Sequence, residues 1–92
     1  MELNQTYKKI IVDKLYINRV GDSFNATLEF RSGDEKISAK LLEVQDIENL
    51  GEILCAHTLW LEKPDDGKLK YGVYVLSALH GYLTEIAFNS LS

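Results

Sequence analysis

The chain has 92 residues, a formal net charge of −4 and a single cysteine, Cys55. That length makes one domain, residues 1–92, which buries only about 60–65% of its unfolded surface, so association is a common remedy at this size. One proline and six glycines exclude a low-complexity linker, an unpaired cysteine excludes a disulfide scaffold, and the acidic balance argues against the basic stripe usual in nucleic-acid binders.

The lone cysteine points to a reducing, cytoplasmic compartment. The N-terminal MELNQTYKKIIV offers no apolar run of signal-peptide length, and the uncharged stretch Tyr71 to Thr84 falls short of the ~20 residues needed to span a bilayer. The charge is unevenly spread. Glu43 to Asp66 holds seven acids against Lys63, a local −6 that leaves +2 for the remainder of the chain.

Met1 to Thr6 reads as a frayed lead-in. Within Tyr7 to Val20, Leu15 and Ile17 alternate with Lys14, Tyr16 and Asn18, which is strand periodicity. Ser23 to Arg31 alternates Phe24, Ala26, Leu28 and Phe30 with polar residues. Lys36 to Val44 does so with Ile37, Ala39 and Leu41. Gly21-Asp22 and Gly33-Asp34 suit two-residue type II′ hairpin turns. That register sets Leu15 opposite Leu28, Ile17 opposite Ala26, Lys14 opposite Glu29, Phe30 opposite Ile37, Leu28 opposite Ala39 and Ala26 opposite Leu41. All apolar pairs then share one face. Asp13 opposite Phe30 and Arg31 opposite Lys36 are the blemishes.

Asp46 suits an N-cap, and Ile47, Leu50, Ile53, Leu54, His57, Trp60 and Leu61 recur at helical spacing until Pro64. Lys68 to Leu91 reads as a second helix with two apolar stripes. The competing reading is a hairpin turning at His80-Gly81, between LKYGVYVLSAL and YLTEIAF. The expected architecture is therefore α+β: a three-stranded antiparallel meander (a β-meander) followed by two helices packed on one face of the sheet.

No segment carries a catalytic or cofactor motif, and no cofactor or metal is expected. Cys55-Ala56-His57 lacks enough companions for a zinc site. Trp60 beside His57 reads as the closure of the core over the sheet. His80 has Thr84 nearby, and its only sequence-local carboxylate, Glu85, is poorly phased to serve it as a base. Asp65-Asp66 reads as a cap or a solvated turn.

Function is thus not readable directly. The best-fitting class is a non-enzymatic protein–protein interaction module of inhibitor or regulatory type, in the manner of phage- or mobile-element-encoded proteins. It is expected to homodimerise through its C-terminal helix by way of Tyr71, Val75, Leu79, Tyr82 and Ile86, with Glu48, Glu52 and Glu62 as the surface for a basic protein partner. Total charge argues against nucleic acid as a partner, and no membrane role is expected. The alternative is a small nucleic-acid-binding regulator using Lys14, Tyr16, Asn18, Arg31 and Lys40 on the outer sheet face. A third reading is an enzyme with Tyr71, Tyr74, His80 and Tyr82 lining a site at a subunit boundary.

Overall fold

The computed structural model describes residues 1–45, 47–64 and 74–91. Seven strands form one antiparallel sheet: β1 Thr6–Lys8, β2 Ile10–Val20, β3 Ser23–Ser32, β4 Glu35–Val44, β5 Thr58–Glu62, β6 Tyr74–Leu79 and β7 Leu83–Leu91. Their spatial order is β1-β5-β6-β7-β4-β3-β2. A 3-10 helix, Ile47–Cys55, is the helical element among the described residues.

The two ends of that order, β1 and β2, are successive pieces of one bent strand. Lys9 joins them at φ 53, a left-handed conformation that redirects the chain. Below the bend, Tyr7 pairs with Leu59 of β5, and above it Ile11 pairs with Arg31 of β3. The Ile10 amide donates to the His57 carbonyl at 3.1 Å, and the Tyr7 ring meets Phe30 edge-on at 5.5 Å. The sheet therefore closes on itself as a small barrel. Closure gives β5 a partner on both sides, so its edge is no longer exposed. The lead-in takes part, since Leu3 bridges Leu61 and the Asn4 amide donates to the Leu61 carbonyl at 2.8 Å.

Strands β2, β3 and β4 pair in the expected register, and Gly21 and Gly33 turn at φ 62 and 63. Asp13 does not oppose Phe30. A bulge between Val12 and Lys14 puts Val12 there instead and turns Asp13 outward. Asp13 then binds Arg31 through two parallel contacts, Nε–Oδ2 at 2.9 Å and Nη2–Oδ1 at 3.0 Å, relieving the like-charge pair of Arg31 and Lys36.

The fold class differs from the α+β expectation, and no free-standing β-meander sits beneath two helices. Of the first expected helix, only Ile47–Cys55 is helical, and it is 3-10. Its period of three buries Leu50 and Ile53 behind Ile47, while Glu48, Gly51 and Leu54 face out. From Thr58 the chain alternates instead: Leu59 and Leu61 are fully buried, and Thr58, Trp60 and Glu62 occupy the other face of β5. Pairing with both β1 and β6 outweighs the weak helical spacing there. The expected N-cap Asp46 lies outside the described residues.

The expected C-terminal helix is a hairpin of β6 and β7 with six paired positions from Tyr74↔Phe88 to Leu79↔Leu83. Its surplus of apolar residues has a plain cause. β6 is central, and Val75, Leu76, Ser77 and Ala78 are all buried, so both faces of the strand are covered. A strand buried on both faces reads as an unbroken apolar run. Leu76, Ala78, Ile86 and Phe88 join Ala26, Leu28, Phe30 and Leu41 in the barrel interior. Residues 65–73, including Asp65, Asp66 and Tyr71, lie outside the described residues.

Candidate functional site

Where the 3-10 helix meets the β6–β7 turn, four polar side chains from three parts of the chain converge. The turn is tight: the His80 amide donates to the Tyr82 carbonyl at 3.2 Å, and Gly81 adopts φ 102, a conformation that side chains rarely take. The turn folds His80 inward, where its side chain is 4% exposed, and leaves Tyr82 60% exposed. Their rings still touch edge to face, with centroids 4.3 Å apart.

His80 Nε2 and the hydroxyl of Thr84 share a 2.7 Å hydrogen bond. The same nitrogen lies 3.7 Å from a carboxylate oxygen of Glu52, a contact that becomes ionic when the imidazole is protonated. Glu52 also hydrogen-bonds Tyr82, and this, with smaller contributions from desolvation and from the charges of Glu52 and Cys55, raises the phenol pKa above its ordinary value. A Glu–His–hydroxyl set invites comparison with a catalytic triad. The comparison fails on geometry, because a triad places acid and nucleophile on opposite ring nitrogens. Here both address Nε2, so the histidine ties the helix to the turn.

The helix and the turn that meet here also carry exposed apolar side chains. Leu83 follows Tyr82 at 47% exposure, and Leu54 projects from the helix at 49%. Glu48 stands on the same helical flank as Leu54, two 3-10 turns earlier. Cys55 is a free, exposed thiol beside them.

Of the expected self-association surface, the four described residues do not share one exposed face: Ile86 is 0% exposed and Val75 is buried, Leu79 is half-buried at the end of β6, and Tyr82 is exposed. Of the expected acidic surface, Glu48 and Glu52 both lie on the 3-10 helix but on different flanks, since four residues do not make a whole number of turns at a period of three. Glu62 sits at the far end of β5, four strand residues or roughly 13 Å away from Thr58. His57 is exposed, with Nδ1 2.9 Å from the Thr58 hydroxyl, and Trp60 is half-buried opposite Ser77. Tyr74 stacks on Phe88 in the strand pair, apart from His80 and Tyr82 at the turn. Sequence reasoning missed the Glu52–His80 contact, because it sought a partner for His80 only within the same segment. Leu54 and Leu83 were missed as surface residues because a helical stripe absorbed them.

Among the described residues no group of three or more His, Cys, Asp or Glu side chains is placed to hold a metal ion. No helix among them is long and apolar enough to cross a membrane. No protein-family model, no curated protein and no solved structure matches the chain.

Proposed function

We propose that this chain is a small protein-binding module whose surface at the 3-10 helix and the β6–β7 turn receives a basic protein. The observation that carries this reading is the exposure of Tyr82, Leu54 and Leu83, with the Glu52 carboxylate acting on Tyr82 and Glu48 on the helical flank that carries Leu54. Exposed aromatic and aliphatic anchors with a charged margin have the composition of an interface hot spot. The margin also argues for the kind of partner. An isologous dimer would set this patch against itself, carboxylate facing carboxylate, whereas a basic surface is complementary to it.

The test is purification of bound proteins on wild-type, Tyr82→Ala and Glu48→Lys/Glu52→Lys baits, followed by calorimetry on any partner found. The expected result is a basic protein whose affinity falls at least tenfold with either variant, the loss typical of a removed anchor or reversed charge pair. A partner that binds both variants as tightly as wild type would overturn the assignment of this surface. Dimerisation of the purified chain that Tyr82→Ala abolishes would replace the basic partner with a second copy.

A further inference from the structure

A second surface is the outward face of β2, β3 and β4. The outward residues of β2, β3 and β4 align in cross-strand rows, Lys14–Glu29–Ser38 and Tyr16–Thr27–Lys40, with Asn18 opposite Asn25 beyond them. Arg31–Lys36 forms the next row beyond Glu29. Tyr16 is 49% exposed in the middle of this face. Because Asp13 occupies the Arg31 guanidinium, the cations left available are Lys14, Lys36 and Lys40. None of the three makes an ion pair among the described residues. A cleft of about 510 Å³ opens at the end of the face, with Lys14, Arg31 and Lys36 in its lining together with Asp13, Glu29 and Ser38.

We propose that this face binds single-stranded nucleic acid. Total charge hid it, since the chain is acidic overall while its acids gather between Glu43 and Asp66. An exposed aromatic flanked by lysines is the arrangement that stacks an unpaired base and neutralises the phosphates on either side. Two positions along a strand, or two strands across, place Lys14 and Lys40 roughly 7–10 Å from Tyr16, within reach of those phosphates. Edge protection accounts for part of the charge. From Glu35 to Lys40, β4 pairs only with β3 among the described residues, and lysines discourage strand addition there. The same argument covers Lys14, because β2 pairs only with β3 among the described residues, but it does not account for Tyr16, an aromatic ring held open beside the lysines. A duplex would leave Tyr16 without a base face, and an acidic peptide would use the lysines and leave the ring idle.

The experiment is fluorescence anisotropy with labelled oligo(dT) and oligo(U) of about 12 nucleotides, titrated from about 50 to 300 mM salt. Binding is expected at the low end, with a log–log salt slope near −2 if three lysines each displace about 0.7 counterion. Tyr16→Ala should weaken binding roughly tenfold while Tyr16→Phe retains it. Lys14→Glu/Lys40→Glu should abolish binding, and Lys63→Glu, off this face, should leave it unchanged. All of these positions are at the surface, and a thermal melt confirms that each variant folds. Three results would overturn the proposal: no binding at the lowest salt, equal binding to a duplex with no effect of Tyr16→Ala, or tighter binding to polyglutamate than to either oligonucleotide. The variants at Tyr82 and Glu52 leave this face intact, so its failure and that of the protein-binding surface are read separately.

Discussion

Glu52 stands between His80 and Tyr82, and the two make different demands on its carboxylate. Toward Tyr82 it is an acceptor that holds the phenolic proton, so the phenol pKa is raised. A group whose pKa is raised by folding contributes stability that is complete below its unfolded value. That contribution disappears as pH climbs through the folded value, here above the ordinary phenol range near 10. The chain has five tyrosines. The phenolate absorbance lost in Tyr82→Phe therefore isolates the titration of this one. Glu52→Gln is expected to move that titration down toward the ordinary value. An unchanged titration in Glu52→Gln would mean that the carboxylate does not govern Tyr82, and the knot at the turn would lose its central contact.

At the scale of elements, the 3-10 helix sets core packing against backbone preference within two adjacent residues. Leu50 is fully buried, so Leu50→Ala should destabilise the chain by about 2–5 kcal/mol through lost burial and a cavity. Gly51 is exposed, its φ is not positive, and an added Cβ would meet nothing within 4 Å. Gly51→Ala should therefore stabilise by about 0.4–1 kcal/mol, chiefly by restricting the unfolded chain. Chemical denaturation of both variants checks the pair, and a destabilised Gly51→Ala would indicate that the middle of the helix needs the freedom of glycine. The same segment shows what could be read in advance. Strands β2 to β4 were legible because one face is wet and alternation survives. Periods of 3 and 3.6 both place Leu50 and Ile53 on one stripe, so the sequence pattern does not separate a 3-10 turn from an α-helix. Trp60 and Leu61 then extended a false stripe, although Leu59 and Leu61 already alternated around Trp60. In β6 burial on both faces erased alternation, and only the aromatic and β-branched content favoured a strand. At the candidate site, Glu52 reads from the sequence as an acid on a helix face, and Tyr82 as part of a dimer face on a helix that the structure replaces with a hairpin turn. His80 gained its partners through the hairpin, a contact that no local spacing encodes.

For the molecule as a whole, the decisive event is closure, and it rests on the shortest strand. β1 has three residues, yet it joins β5 to the strand that continues into β2. Tyr7 is the side chain at that seam. It is buried, its ring lies against Phe30 from the opposite end of the sheet order, and its hydroxyl accepts a 3.0 Å hydrogen bond from the Glu2 amide. Tyr7→Ala should cost about 3–5 kcal/mol, as other large aromatic truncations do, a large share of the roughly 5–14 kcal/mol available to a chain of this size. Tyr7→Phe keeps the ring contact and gives up one hydrogen bond, worth about 1 kcal/mol. Urea unfolding of both variants measures the difference. If Tyr7→Ala costs no more than Tyr7→Phe, the seam contributes little, and the barrel is held by the ladders on either side of it instead.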